Sequence, residues 1–268
     1  MITTLASDGT EIRAYDQGTG PVILVVHPGL DDGRSWARVA STLSKRFRVV
    51  RVVRRHYRLD VPFTAYSIDR EVSDVVTLAA HVGGPMVLVG HSSGGVVALE
   101  ALVAAPAMFA GALLFEPPLG AGAHHPGPDR GLRQARMAAA AGKPGKALQI
   151  FTRDVVGMPA YAAWLTRPAV AALPKMRRLA LRQLYDLDGV ERPTSRYARI
   201  AVPTVLLGGA RSPAHLGASL GALANVMPNA TKVVLPRRDH TAHLRAPGDV
   251  AAVIERLADR VLGSPPDD

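Results

Sequence analysis

A serine stands between glycines where an apolar run gives way to a helical pattern. In the stretch MVLVGHSSGG, Gly90, Ser92 and Gly94 match the pattern G-x-S-x-G between a predicted strand and a predicted helix. Such a sharp turn strains the serine, leaves room only for glycines beside it and presents the hydroxyl at the positive end of the helix. We therefore predict that Ser92 is a nucleophile and that the backbone N–H of Ser93 helps to bind an oxyanion. A tight turn without catalytic chemistry is the alternative.

A serine hydroxyl is a weak nucleophile unless a base takes its proton. The chain offers two histidines after its last predicted strand, in the stretch RRDHTAHL. His240 follows the strand first, whereas His243 comes about one helical turn later. We predict that His240 is the base, and we keep His243 and a purely structural pair of histidines as the alternatives.

The imidazole of the base needs a carboxylate that fixes its tautomer and stabilises its cation. No Asp or Glu occurs between Arg192 and Arg238, so the turn after the predicted strand in this region cannot supply one. Asp239 is adjacent to His240, and neighbouring side chains point in different directions. Glu116, at the carboxyl end of another predicted strand and before two prolines, is therefore the predicted acid. The alternative is that this glutamate caps a loop or pairs with an arginine.

The second oxyanion donor is expected in the loop after the apolar run VILVV. Pro28 has no N–H, which leaves Gly29 as the first choice and Leu30 as the second. His27, in the same loop, is best explained as a histidine that braces the loop, and it is also a candidate contact with the substrate. His91, beside the predicted nucleophile, is a second candidate contact with the substrate.

Strand and helix patterns alternate through most of the chain outside residues 120–199. Continuous apolar runs such as VILVV are typical of strands that are covered on both faces, and helical patterns follow several of them. We predict an α/β fold with a doubly wound, mostly parallel sheet of about eight strands. Ligands bind such sheets outside the carboxyl ends of the strands, where Ser92, His27 and Glu116 would lie.

The alternation breaks between residues 120 and 199, where no strong strand pattern occurs. This segment predicts several short helices, inserted at one edge of the sheet. It carries fourteen Lys and Arg against five Asp and Glu, which accounts for most of the net charge of +10. A solvated helical surface explains this surplus best, and attraction of an anionic substrate is the alternative. Trp164 is a candidate to line the substrate pocket, although the core of the insertion is the commoner place for such a residue.

Composition excludes several classes of protein. The chain has no cysteine, so thiol catalysis, Cys-based zinc sites and disulfide frameworks are excluded, and we predict no metal site. The first residues lack the basic and apolar regions of a signal peptide, which predicts a soluble, cytoplasmic protein. The chain has no run of like charges and no recognised nucleic-acid module, and Glu100 and Pro106 interrupt its longest apolar stretch. We therefore expect neither a nucleic-acid nor a membrane partner.

These motifs resemble those of the α/β-hydrolase fold superfamily. The matching segments are HPGLDDGRSW, GHSSGG, FEPP and DHTAHLRAP, and the resemblance covers the chain except residues 120–199. The order serine, acid, histidine also matches. Many relatives have His-Gly where this chain has His-Pro28, and most carry the acid after the seventh strand, where Arg211 and Ser212 stand here. Some members place the acid after the sixth strand, and Glu116 fits that alternative.

The resemblance implies a hydrolase core formed by residues 1–119 and 200–268, with residues 120–199 as a helical cap over the pocket. It also implies a serine hydrolase that cleaves an ester or related acyl bond of a small molecule and needs no cofactor. In such an enzyme Glu116 would orient His240, and His240 would activate Ser92. A serine at the elbow argues against the dehalogenase and epoxide hydrolase branches, which use Asp. Perhydrolases, thioesterases, carbon–carbon bond hydrolases and acyltransferases share this scaffold, and a non-catalytic ligand-binding protein is the remaining alternative.

Overall fold

One sheet of eight strands forms the centre of the structure. The computed structural model describes residues 1–119, 126–157, 160, 164, 172–186, 188 and 192–263. The strands are β1 (Ile2–Leu5), β2 (Glu11–Gln17), β3 (Val22–Val26), β4 (Arg48–Val53), β5 (Met86–His91), β6 (Phe109–Phe115), β7 (Thr204–Gly209) and β8 (Ala230–Leu235).

The strand order is β1-β2-β4-β3-β5-β6-β7-β8. β1 pairs with β2, and β2 with β4, in antiparallel fashion, whereas the pairs from β4 through β8 are all parallel. The predicted mostly parallel sheet of about eight strands is therefore confirmed. The sequence patterns do not predict β1, because this short edge strand has the residues ITTL and is only partly buried, which gives a weak hydrophobic signal.

Helices follow most of the strands, as expected for a doubly wound sheet. Ser67 caps one of them by accepting a hydrogen bond from the N–H of Arg70 at 3.3 Å, and Gly83, with φ 75°, ends that helix. The α-helices of the described residues are α1 (Ala37–Leu43), α2 (Ile68–Val82), α3 (Ser93–Ala104), α4 (Pro126–Ala140), α5 (Pro144–Ile150), α6 (Pro174–Gln183), α7 (Ala214–Val226), α8 (Ala242–Arg245) and α9 (Pro247–Leu262). None of the helices that the structure describes has both the length and the apolar character needed to cross a bilayer.

The central strands are covered on both faces by separate apolar cores. In β3, Leu24 packs into the core that α2, α3 and α7 complete, whereas Ile23 and Val25 pack into the core completed by α1 and α9. A strand in this position needs apolar side chains at every residue, which explains the run VILVV. The parallel register brings the carboxyl ends of β3, β5, β6 and β7 to the same edge of the sheet, where the loops that carry the predicted site begin.

The segment between β6 and β7 consists of helices and turns, and no strand occurs among its described residues. Besides α4, α5 and α6 it contains a π-helical turn, Phe151–Val155, and a 3₁₀ turn, Thr194–Arg199. Leu148, Phe151 and Leu184 form part of a small apolar core of its own, and Leu30 from the loop after β3 packs against that core. The helical insertion therefore contacts the loop that holds the predicted oxyanion donors.

A buried glutamate connects α3 to the 3₁₀ turn before β7. Tyr197 donates its hydroxyl hydrogen to Glu100 at 3.0 Å, and Nε of Arg196 donates to the same carboxylate at 3.1 Å. These partners explain how a charged residue is accommodated in an apolar helix, because buried polar groups are stable only when they are hydrogen-bonded.

Replacement of Glu100 by Ala should destabilise the fold, because it leaves the buried Tyr197 hydroxyl without its partner. We expect E100A to lower the free energy of unfolding by about 1–3 kcal/mol, the cost of an unsatisfied buried polar group. Urea denaturation followed by circular dichroism measures this change. The matched control is E255A, at a partly exposed glutamate of α9, and equal stability losses in the two variants would contradict the assignment.

Candidate active site

Ser92 occupies the sharp turn between β5 and α3 with φ 54° and ψ −127°, a conformation that residues other than glycine rarely adopt. The N–H of Ser92 donates to the carbonyl oxygen of Phe115 at 2.9 Å, which fixes the turn to β6. A Cβ atom on Gly94 would lie 2.2 Å from the carbonyl oxygen of His27, and one on Gly90 would lie 2.5 Å from a side chain of α3. Both glycine positions therefore exclude any side chain.

Glu116 follows β6 directly and is only 1% exposed, with φ 47°. Nδ1 of His240 lies 2.6 Å from one carboxylate oxygen, and the N–H of Gly209 donates to the other at 2.7 Å. No Lys or Arg among the described residues forms an ion pair with this carboxylate. The carboxylate oxygen is the acceptor in this contact and Nδ1 of His240 the donor, so the contact favours the tautomer whose Nε2 is free.

The turn after β7 supplies a backbone donor where an acid is lacking. Gly209, the last residue of β7, donates to Glu116, and Arg211 donates its N–H to the carbonyl oxygen of Arg238 at 2.8 Å. Since Arg238 lies two residues before His240, the same turn holds the glutamate and the segment that carries the histidine. Its sequence therefore needs no Asp or Glu to bring the two together.

Asp239 makes its hydrogen bonds elsewhere. Its carboxylate accepts from the N–H of Thr241 at 2.8 Å and from the hydroxyl of Thr241 at 2.6 Å. Partial burial opposes ionisation, but these hydrogen bonds outweigh it and lower the pKa of Asp239 below its usual value. Asp239 thus stabilises the turn that presents His240.

His240 lies close to the elbow. Its ring centroid is 4.7 Å from that of His91, which is the residue immediately before Ser92. Among the side chains that the structure describes, none makes a hydrogen bond to the Ser92 hydroxyl. Hydrogen bonds between a nucleophile and its base commonly tighten only when substrate is bound.

A buried cluster of aromatic rings supports His240. His91 stacks on Phe115 at 4.4 Å between ring centroids, and His243 stacks on Trp36 at 5.5 Å. Burial, reinforced by His243, lowers the pKa of His91 well below its usual value. Burial and the neighbouring His240 lower the pKa of His243 to about 4. Both imidazoles are therefore neutral at pH 7.

The positions of His91 and His243 in this cluster can be compared with the roles predicted for them, a substrate contact and an alternative base. His91 is buried among the rings, and neither ring nitrogen has a hydrogen-bond partner in the described part of the chain, so its contact with a substrate stays a prediction. His243 makes no hydrogen bond to the carboxylate of Glu116, which is engaged by His240. Of the two candidate bases, only His240 therefore has the orienting partner that a catalytic histidine requires.

Three backbone N–H groups near the elbow are free of acceptors within the described part of the chain. They belong to Ser93 at the first position of α3 and to Gly29 and Leu30 in the loop after β3. Leu30 has φ 58°, the left-handed conformation that favours glycine. Backbone donors of this kind can bind an oxyanion, since they are held in place before the reaction begins.

His27 is fully buried, and its environment contradicts the expectation of a substrate contact. Nε2 accepts from the N–H of Arg54 at 3.1 Å, so Nδ1 carries the proton and donates to the carbonyl oxygen of Pro28 at 2.7 Å. Burial lowers the pKa of His27, which keeps the ring neutral. Neither nitrogen is left for a ligand, and the ring braces the loop. Trp164 is 56% exposed on the helical insertion, which is not the environment of a residue that lines an enclosed pocket.

Sequence reasoning missed Arg54, which lies just after β4. Its buried guanidinium contacts Glu71, Asp186 and the hydroxyl of Ser93. The feature that could have identified Arg54 is its position at the carboxyl end of a predicted strand, because the site is predicted at that edge of the sheet. Among the described residues, no group of three or more His, Asp or Glu is arranged to hold a metal ion.

Comparison with known proteins gives matches over most of the chain. A family model described as "Alpha/beta hydrolase family" matches residues 23–253. The structure is similar to that of an alpha/beta hydrolase from Sphaerobacter thermophilus DSM 20745, with a TM-score of 0.80. The two sequences are 30% identical, over 96% of this chain and 99% of that one.

Two curated relatives match a shorter region. "Lipase LipV" of Mycobacterium tuberculosis (strain ATCC 25618 / H37Rv) is 35% identical over 102 residues, which are 37% of this chain and 38% of the relative. "Uncharacterized hydrolase YraK" of Bacillus subtilis (strain 168) is 32% identical over 107 residues, 38% of this chain and 40% of the relative. The chain therefore matches less than half the length of each of these proteins.

The lowered pKa of His243 predicts that acid destabilises the protein. The folded pKa of about 4 lies below the ordinary value of 6.5, so between these values the unfolded state binds a proton that the folded state does not. This one group should lower the free energy of unfolding by about 2 kcal/mol between pH 7 and pH 5.

The variant H243L should therefore lose less stability than the wild type over this range, as measured by urea denaturation at the two pH values. H81L, the same change at an exposed histidine, is the control. The prediction is wrong if the wild type and H243L lose stability equally on acidification.

Proposed function

The chain belongs to the alpha/beta hydrolase family, and from this membership we propose that it is a serine hydrolase that cleaves an ester or related acyl bond of a small molecule. The observation that carries the proposal is the 2.6 Å contact between Glu116 and His240, a buried carboxylate on an imidazole beside the elbow. The strained turn at Ser92 supports it, because strain of this kind is retained where it presents a reactive group.

In the proposed reaction, Nε2 of His240 takes the hydroxyl proton of Ser92 as the serine oxygen attacks the carbonyl carbon of the substrate. The tetrahedral intermediate collapses when His240 gives this proton to the leaving group, which leaves an acyl-enzyme. Water, activated by the same nitrogen, then attacks the acyl-enzyme. The products are a carboxylic acid and the free serine, and the steps need no group outside the chain.

Glu116 has two roles in this proposal. It holds His240 in the tautomer whose Nε2 can accept a proton, and its negative charge stabilises the imidazolium that forms in each half-reaction. The lack of any arginine or lysine partner for Glu116 among the described residues supports the second role, since the imidazolium is then the only cation that neutralises this charge.

The developing negative charge on the substrate oxygen is bound by backbone donors. We assign the N–H of Ser93 and that of Gly29 to this oxyanion hole, with Leu30 as the alternative to Gly29. The support is that all three groups are free of acceptors in the described part of the chain.

Residues 120–199 serve in this proposal as a cap over the substrate pocket, and residues 1–119 and 200–268 form the hydrolase core. The support is the packing of Leu30 against the core of the insertion. Attraction of anionic substrates receives little support, because several basic side chains of the insertion are already in ion pairs. These side chains are Arg136, Arg153, Lys175, Arg192 and Arg196.

The alternatives differ in how far the site supports them. A thioesterase, perhydrolase, carbon–carbon bond hydrolase or acyltransferase would use the same residues, and similarity to a protein named as a lipase favours ester cleavage among these reactions. A non-catalytic role rests on the missing acid after β7. The contact of Glu116 with His240 speaks against it, because it offers His240 a carboxylate from the end of β6. A cytoplasmic location stays a prediction, which cell fractionation would test.

If Ser92 is the nucleophile, a fluorophosphonate probe should label the wild-type chain and should not label S92A. S41A, at an exposed serine of α1, is the matched control. In-gel fluorescence and peptide mass spectrometry locate the label. A label on S92A as strong as that on the wild type would remove Ser92 from the proposal.

If Glu116 is the acid, E116Q should lower kcat for a p-nitrophenyl ester by about 10²- to 10⁴-fold, as loss of the orienting carboxylate does in a serine triad. D239N is the matched control, because Asp239 is the carboxylate next to His240 in sequence and bonds to Thr241. We expect D239N to lose far less kcat than E116Q, because Asn keeps the Oδ1 acceptor that bonds to Thr241 and so preserves the turn. A large loss in D239N with near-normal turnover in E116Q would reverse the assignment.

A further inference from the structure

A buried ionic network lies on one side of the proposed oxyanion hole. The Arg54 guanidinium donates from Nε to Glu71 at 2.7 Å, from one terminal nitrogen to Asp186 at 2.8 Å and from the other to the hydroxyl of Ser93 at 2.8 Å. The side chains of Arg54 and Asp186 are each 1% exposed. The Ser93 hydroxyl, whose residue supplies one oxyanion donor, thus accepts from a guanidinium that is itself held by the Asp186 carboxylate.

The same carboxylate is connected to the other side of the hole. The Tyr57 hydroxyl lies 2.8 Å from Asp186 and 2.9 Å from the side-chain amide of Gln183. Burial favours the neutral form of Asp186, but Arg54 outweighs it and lowers the pKa of this carboxyl. The Tyr57 hydroxyl has one hydrogen to donate and two acceptors within reach, the Asp186 carboxylate and Oε1 of Gln183.

Gln183 packs directly on the loop of the second donor. A Cβ atom on Gly29 would lie 1.8 Å from the Gln183 amide and 2.7 Å from the Tyr57 hydroxyl. The backbone of the loop therefore rests on these two side chains. A chain of contacts runs from Gln183 through Tyr57 to Asp186, and from Asp186 through the Arg54 guanidinium to the Ser93 hydroxyl.

We propose that Asp186 is a positioning residue, which holds both donor segments of the oxyanion hole in one geometry from the helical insertion. The inference rests on the proposed function and adds a residue that lies far from the triad in sequence. Asp186 touches no reacting atom and acts through Arg54 and Ser93 on one side and through Tyr57 and Gln183 on the other. The oxyanion hole is then complete only when the insertion is docked on the core.

The variant D186N tests this role, because an amide keeps the size of the side chain but replaces one acceptor by a donor and removes the charge. D188N is the matched control: Asp188 lies two residues away and pairs with Arg136 at 3.0 Å on the surface. Amide hydrogen exchange, followed by mass spectrometry on the full chain, should accelerate in segments 27–33 and 90–97 of D186N. Exchange in α9 should match the wild type, which shows that the whole fold has not loosened.

Steady-state kinetics with a p-nitrophenyl ester give the second readout. Loss of one oxyanion donor costs about 10²–10³ in kcat, so displaced donors should lower kcat by about 10- to 100-fold while KM stays near the wild-type value. A merely structural role would lower the fraction of folded enzyme and would leave kcat per labelled active site unchanged. D188N should resemble the wild type in both readouts.

The proposal is overturned if folded D186N exchanges at wild-type rates in both segments, or if D188N accelerates them equally. If D186N does not fold, S93A decides, because it cuts the link to the elbow and keeps the ion pair. The proposal then requires faster exchange in segment 90–97 of S93A and fails if exchange is unchanged. A wild-type chain that hydrolyses no acyl substrate would refute the proposed function, whereas the exchange rates would still decide the role of Asp186.

Discussion

The hydrogen bond between Glu116 and His240 is the constraint on which the rest of the site depends. A buried carboxylate is costly unless its partners compensate for the lost water, and the described residues offer it only an imidazole and the N–H of Gly209. The carboxylate and its two partners come from three separate stretches of the chain, after β6, at the end of β7 and after β8. The parallel sheet makes these contacts possible, because it brings the ends of β6 and β7 to one edge, where the loops that follow them meet.

The buried polar groups of the site are stabilised in two different ways. Around His240, the imidazoles of His91 and His243 are kept neutral by burial among aromatic rings, so that they fill space beside the base without adding charge. Around Ser93, by contrast, full charges are retained and paired, with Arg54 between Glu71 and Asp186. Neutral neighbours do not repel the cation that His240 forms during the proposed reaction. A network of paired charges holds the Ser93 segment in place.

Much of the fold and part of the site could be predicted from the sequence, because their signals are local. The run VILVV and the elbow glycines carry strong patterns, and the lack of acidic residues between Arg192 and Arg238 directed attention to Glu116. The network of Arg54 could not be predicted, since Asp186 lies 132 residues away in an insertion without a regular pattern. The role of His27 was open for a similar reason: its second nitrogen is occupied by the N–H of Arg54, a contact that only the sheet creates.

The tautomer of His240 tests the central claim most directly. Nitrogen-15 NMR of the imidazole, followed through its titration, distinguishes a neutral ring protonated on Nδ1 from one protonated on Nε2. A hydrogen bond to Glu116 requires the proton on Nδ1 and leaves Nε2 as the base, and removal of the carboxylate in E116Q should weaken that preference. A neutral His240 that carries its proton on Nε2 in the wild-type chain would contradict the account.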